Sequence, residues 1–411
     1  MPQTARRGLL VAGLGVLVAA FLSWAAVRRG FFDLNVYYGA LNYWVHEGGQ
    51  LYDYVRPRTE YGFTYPPFAA LTMLPMALVP WPLAIVISSL LTIGAAVVML
   101  YWLVTPMARR EGWPVWVALS VAAILAAAFE PMRETFSFGQ VNAVLLVLVL
   151  ADFVLLLGRG SRLAGVGIGL ATAIKLTPGI FIVYLLVTKR WRAAAVAAGT
   201  AAGATLLAAA IAPDASRIFW TEALWNTDRI GDLAYISNQS VQGVLARLDP
   251  IDPSRLVWLL AVLLVLVVWV FRVRRAAAAG DELAGFALTG VAGCLLSPVT
   301  WVHHLVWLLP ALILLVDRSL ARRRWAVLGL AVAAYAVLCS RLVWAWRVDF
   351  GGLDGFVFSN AYVWISLALL VGLPLLVGPL SEAHRVAHLG EVDRVAARRV
   401  DPEGVPRPVR R

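Results

Sequence analysis

Charge is scarce in this chain: 14% of its residues are charged against 61% hydrophobic, and mean hydropathy is +0.78. No soluble core of 411 residues could hide that much apolar side chain, so a soluble globular protein is excluded. Cysteine is nearly absent. Cys294 and Cys339 both lie inside apolar runs, which excludes a disulfide framework and a cysteine-based metal site. No Asp-x-Asp cluster is present to hold a divalent metal, and no cofactor is expected. No internal repeat is visible, which counts against transporters built on detectable repeats. A net charge of +11 suggests nucleic acid in a soluble protein, but here the arginines fall in short turns between apolar runs and in the tail. They set topology, and no nucleic-acid partner is expected.

What remains is an all-α polytopic membrane protein. Leu9 to Val27 follows Arg6 and Arg7 without a small-residue cleavage site and reads as an uncleaved first helix, N-terminus in the cytoplasm. That places Phe31 to Pro67 outside. Phe68 to Val79 is bounded by prolines and too short to cross a core needing roughly 20 residues, so it reads as re-entrant or interfacial. Leu83 to Val104, Val115 to Phe129 and Val141 to Leu157 follow as spans. Leu163 to Val187 is interrupted by Lys175 and Pro178 and basic at both ends, which predicts a hairpin of half-spans or a re-entrant pair. Ala193 to Ile211, Leu256 to Phe271, Leu283 to Leu296, Leu305 to Val316, Trp325 to Leu338 and Ala361 to Val377 complete about ten to twelve crossings, with both termini inside. Residues 1–380 form a single integral membrane domain. Its long acid-containing loops, 28–67, 130–139, 213–255 and 342–359, all fall outside and can assemble one extracytoplasmic site. Residues 381–411 are a basic cytoplasmic tail, disordered and held near anionic lipid.

Within this frame a few polar residues stand out. Asp33, just past the first span, is a carboxylate meeting partial desolvation; it reads as a helix N-cap, and equally as a general base at the membrane surface. Tyr37 lies on the apolar face of the segment that Asp33 opens, and Tyr65 precedes Pro66 and Pro67, which fix the entry of the next segment. Glu130, Arg133 and Glu134 form a small charged group that reads first as a local ion pair. Gln140 and Asn142 open a span with amides suited to sugar hydroxyls or to backbone. Lys175, inside an apolar stretch, must snorkel or find an anion, and charge bookkeeping allows it on the cytoplasmic side. Asn238 and Gln239 read as a turn or sugar-contacting amides. His303 and His304 are two of only five histidines; adjacent helical residues point about 100° apart, so the pair is a poor metal site. At an outer turn, one of them can contact phosphate or position a hydroxyl.

DLNVYYGA (33–40), GGQLYD (48–53), FTYPP (63–67), GQVN (139–142), IKLTPG (174–179), NQS (238–240) and SPVTWVHH (297–304) occur in one order that resembles the family-87 glycosyltransferases. The resemblance implies a GT-C membrane fold whose extracytoplasmic loops form the active site. It implies a hexosyltransferase, an α-(1→2)-mannosyltransferase that uses polyprenyl-phosphate-mannose and a lipid-linked mannoside or lipoglycan acceptor in the plasma membrane. It also implies Asp33 as catalytic aspartate and His303 or His304 near the donor phosphate, although Val302 stands where relatives often carry an acid. Arg133, Arg229, Arg341 and Arg347 are the external cations available to that phosphate. An arabinofuranosyltransferase is the alternative within the family; a transporter or flippase for a lipid-linked sugar, with Asp33 and the histidines as a proton relay, is the alternative outside it.

Overall fold

The computed structural model describes residues 29–226 and 231–376, with isolated positions between 8 and 21. Most of the Leu9 to Val27 span, Arg229 and the tail therefore lie outside the described residues, as do both termini. Regular structure among the described residues is helical, apart from one isolated bridge between Val55 and Gly62. Four helices are long and apolar enough to cross a membrane: Trp81–Arg110, Trp191–Ile211, Arg255–Ala278 and Val302–Ala321. Two bent pairs raise the number to six, Val115–Ala128 with Glu130–Phe138 at 72° and Gly352–Ser359 with Ala361–Gly372 at 58°. Pro67–Leu78, Asn142–Leu157, Thr177–Val187, Glu282–Leu296 and Trp325–Ser340 are apolar but shorter, so the ten to twelve expected crossings are not matched by helices of full length.

The reason is visible in Glu282–Leu296. It packs against Arg255–Ala278, Ala361–Gly372 and Leu309–Ala321, and almost all its side chains are buried. An interior helix is surrounded by protein and need not match the lipid thickness. Segment 130–139, expected as a loop, is instead the Glu130–Phe138 helix, opened by Pro131 at its N-terminal turn and closed by left-handed Gly139.

Basic residues gather at one end of the bundle. Arg110 pairs with Asp317 at 2.7 Å, Arg318 pairs with buried Asp281 at 2.8 Å, and Arg190 pairs with Glu282. Tyr38 packs on Trp81, at the other end of the Trp81–Arg110 helix, whose 30 residues span about 45 Å. The loop that carries Asp33 thus sits at the end of the bundle remote from the arginine turns. The interrupted stretch 163–187 is two short helices, Val166–Ile174 and Ile180–Val187, joined through a single short turn. Pro178 has no N–H for the carbonyl of Ile174, so the first helix stops and Lys175 adopts an extended backbone. Asp152 fixes the entry by accepting from the backbone N–H groups of Gly165 and Ile168 at 3.1 and 2.7 Å.

Candidate active site

Gly30 and Phe31 are both left-handed, with φ of 64° and 49°, and this turn starts the Phe32–His46 helix. Such a conformation is costly for a phenylalanine, and its ring is held edge-on against Phe136 at 6.2 Å between centroids. Phe31, not Asp33, occupies the cap position, and no side chain caps the helix there. The N-cap reading of Asp33 is thereby corrected: its carboxylate is turned to another partner. Val36, Tyr37, Ala40 and Leu41 bury the helix against Leu51, Tyr52, Phe63, Tyr65 and the Pro67–Met73 helix.

Gly139 brings the partner into place. Its φ is +71°, and a Cβ there would meet the Cβ of Leu34 at 2.5 Å, so only glycine lets the two chains approach. The next residue, Gln140, donates from Nε2 to Oδ2 of Asp33 at 2.7 Å. Its Oε1 accepts from the Tyr65 hydroxyl at 2.7 Å, and Tyr37 donates to the Tyr65 oxygen at 2.9 Å. Lys175 Nζ also donates to that oxygen, at 3.2 Å, and to Asn142 Oδ1 at 2.9 Å, and lies 3.0 Å from His304 Nε2. One continuous hydrogen-bonded chain therefore runs from Asp33 to His304. It joins residues from five stretches of the chain, 33–37, 65, 140–142, 175 and 304.

The helix break carries Lys175 to the Asp33 end of the bundle, remote from the arginine turns. Burial pushes the Asp33 carboxyl up to about 6, against the opposing effects of the Gln140 hydrogen bond and the charges of Lys175 and Arg56. Burial likewise pushes the Tyr65 hydroxyl above its ordinary range. Glu47, Asp53 and Glu60 are exposed loop acids.

The two histidines differ. His304 Nδ1 accepts from the Trp301 backbone N–H at 3.1 Å while its Nε2 faces Lys175, so both ring nitrogens are engaged. The His303 ring stands at 87° to it and packs on Phe138, and its Nε2 is buried without a partner among the described residues. Its carbonyl accepts from Thr135 and Asn142 at 2.9 and 3.2 Å. A half-open pocket lined by Asn142, Pro178, Phe181, Gly290, His304 and Trp307 lies beside the Lys175 cluster. It is mostly apolar in character and adjoins the polar chain through Asn142 and His304.

Asn238 and Gln239 are not brought to the site, which corrects the sugar-contact reading. Both are fully buried and spend their amides on backbone: Asn238 on Leu233, Pro298 and Thr300, Gln239 on Ile236 and Ser359. Asn238 fixes the turn that presents the histidines, whereas Gln239 ties that region to Ser359 and leaves its Oε1 without a partner among the described residues. Glu130 is also elsewhere, with no exposure, accepting from Trp344 at 2.7 Å and Tyr362 at 2.5 Å and pairing with Arg341 at 3.1 Å. Arg133 lies over the Phe21 ring and reaches the Ala128 carbonyl at 3.3 Å. Sequence reasoning missed Arg56, whose guanidinium lies 4.1 Å from the centroid of the Phe32 ring, with a buried nitrogen that has no partner among the described residues. Among the described residues no three His, Cys, Asp or Glu side chains are placed to hold a metal ion.

Comparison with known proteins adds a second kind of observation. The model of glycosyltransferase family 87 matches residues 63–298, a segment that includes Tyr65, Gln140, Asn142 and Lys175 but neither Asp33 nor the histidine pair. A polyprenol-phosphate-mannose-dependent α-(1-2)-phosphatidylinositol mannoside mannosyltransferase of Mycolicibacterium smegmatis is 34% identical over 340 residues, 76% of each chain. Its Mycobacterium tuberculosis counterpart is 32% identical over 332 residues, 75% of each. A phosphatidylinositol pentamannoside mannosyltransferase of Mycolicibacterium smegmatis is 33% identical over 326 residues, 74% of this chain and 75% of that one. No solved structure gives a significant match.

Proposed function

The chain belongs to glycosyltransferase family 87, and from that premise we propose that it moves a mannosyl residue from polyprenyl-phosphate-mannose to a phosphatidylinositol mannoside or related lipoglycan, with Asp33 as general base. The observation that carries this reading is the hydrogen-bonded chain from Asp33 through Gln140 and Tyr65 to Lys175. It puts a carboxylate and a buried cation into one site beside an apolar pocket.

In the reaction, an acceptor hydroxyl forms a bond to C1 of the mannose as the bond from C1 to the phosphate oxygen breaks. Asp33 takes the hydroxyl proton, and polyprenyl phosphate leaves as an anion toward Lys175 and Asn142. Tyr65 and Gln140 hold the base and the cation in register, and the pocket beside His304 receives the first part of the lipid. On this reading the site belongs to the integral membrane domain, 1–380, and faces the extracytoplasmic side of the plasma membrane, which the gathering of arginine turns at the other end of the bundle supports. Both termini are then cytoplasmic.

Purified protein given polyprenyl-phosphomannose and a phosphatidylinositol mannoside should yield a glycan one mannose longer by mass spectrometry; no product would sink the reading. The pH profile supplies a second expectation. The base acts only when ionised, so a carboxyl raised to about 6 makes turnover fall as pH drops through about 6. Gln140→Leu removes a hydrogen bond that favours the carboxylate, so the acid limb should move to higher pH. An unmoved limb would mean that another group sets it.

A further inference from the structure

The Asp33 chain leaves a second polar cluster unused. Glu130 and Glu134, four residues apart on one helix, are 0% and 4% exposed, and each is matched by an arginine from a distant part of the chain. Arg29 donates to Glu134 at 2.7 Å; Arg341 commits its Nε to Glu130 at 3.1 Å. Both guanidinium groups lie against the same indole, Trp344, at 5.7 Å for Arg29 and 5.2 Å for Arg341. Their side chains nevertheless keep 31% and 45% of their surface exposed. Two buried acids thus hold two cations at a surface, each with guanidinium nitrogens that have no partner among the described residues. Forked donors fixed in this way suit a phosphate oxygen pair.

An independent observation points the same way. Arg29 also lies over the Phe138 ring at 5.2 Å, and Phe138 packs on His303, whose Nε2 is buried without a partner. An orphaned polar atom one ring away from Arg29 is a place where a ligand would relieve a cost, because a buried unpaired nitrogen is unfavourable.

We infer that Arg29 and Arg341 form a clamp for the phosphodiester of the acceptor lipid, with His303 Nε2 at its inner edge. The inference rests on the acceptor reading above. A phosphate could come from either lipid substrate, and the groups that each cation is bonded to separate the two. In the donor, the phosphate is bonded to the reacting carbon, so its cation must be close to the base; Lys175 is joined to Asp33 through Tyr65 and Gln140. In a mannosylated phosphatidylinositol, the phosphate is separated from the reacting hydroxyl by sugar rings. Arg29 and Arg341 are bound to Glu134 and Glu130 instead and take no part in the Asp33 chain, which leaves them to a phosphate that is not on the reacting carbon.

The test compares two acceptors at fixed donor, phosphatidylinositol mannoside and phosphate-free octyl α-mannoside, in the full chain. The paired variants Arg29→Gln with Glu134→Gln, and Arg341→Gln with Glu130→Gln, remove each cation together with its buried acid and so leave no unpaired carboxylate. Each should lower the ratio of kcat/KM for the phosphatidylinositol mannoside over that for octyl α-mannoside at least tenfold, through the KM of the lipid acceptor. A retained ratio overturns the clamp, and a raised donor KM with both acceptors equally affected assigns the arginines to the donor instead. Wild-type protein gives a measurement that needs no variant: glycerophosphoinositol should inhibit competitively against the lipid acceptor, and competition against the donor would overturn the inference. Wild-type protein that transfers to neither acceptor defeats the acceptor reading itself.

Discussion

Asp33→Asn should lower kcat about 10²–10⁴-fold while leaving the protein folded and the KM for donor little changed. The substitution is isosteric. Gln140 Nε2 can still donate to the remaining oxygen at position 33, so the chain through Tyr65 to Lys175 stays assembled and only the proton acceptor is lost. A general base contributes in the transition state, where the hydroxyl proton is in flight, and little to ground-state binding; the loss therefore falls on kcat. Two further readouts sharpen it. The acid limb near pH 6 should vanish from any residual activity, since the group that produces it is gone. Asp33→Glu keeps the charge but displaces it by a methylene, and should recover only part of the rate because a misplaced base transfers protons poorly. Turnover by Asp33→Asn within tenfold of wild type would remove Asp33 from the chemistry and leave the same network a purely structural role.

How much of this could be read from the residues alone depends on whether a feature is local. The Trp81–Arg110 helix is legible because its apolar run, Leu83 to Val104, is continuous and its basic end is adjacent in sequence. Lys175 is legible by cost: an ammonium in an apolar stretch needs a partner wherever it sits. Its partners are not legible, because Tyr65, Asn142 and His304 converge only after a proline breaks a helix and three other segments fold against it. The Glu130–Phe138 helix was hidden for the opposite reason. Two acids and an arginine in nine residues have the composition of a solvated loop, and the counter-charges that bury them, Arg29 and Arg341, lie 105 and 211 positions away. Amides mislead in the same manner: Asn238 and Gln239 have the chemistry to bind sugar hydroxyls, and only the placement of nearby backbone shows that Asn238 holds the 297–302 turn and that the Gln239 Nε2 is spent on Ile236 and Ser359. Arg56 escaped notice because nothing in its own loop distinguishes it from its neighbour Arg58.

Lys175→Met should produce the other large loss, and of a different kind. The lysine is 8% exposed, and Tyr65, Asn142 and His304 hold it in place, so the geometry that aims it is set before any ligand arrives. Removing one member of a buried, hydrogen-bonded charge pair costs about 2–5 kcal/mol, or roughly 30- to 3,000-fold. If Lys175 faces the donor phosphate, that loss should appear in kcat/KM for polyprenyl-phosphomannose, partly as KM, because the phosphate is anionic before the reaction and more so after the bond to C1 breaks. The acceptor KM should stay within about threefold of wild type, since the clamp inferred for its phosphate lies elsewhere. Methionine matches the lysine stem in length and is apolar, so the segment can still pack against the pocket at Pro178 and Phe181. Lys175→Arg should not restore activity: a planar fork with five donors cannot occupy a space bounded on three sides by Tyr65, Asn142 and His304. A donor kcat/KM within threefold of wild type in Lys175→Met would show that the leaving phosphate is met by another cation, with Arg56 the first to substitute, since its charge also reaches Asp33. Measured side by side, the two variants separate the functions that the hydrogen-bonded chain links: loss at Asp33 is confined to kcat, whereas loss at Lys175 follows the donor.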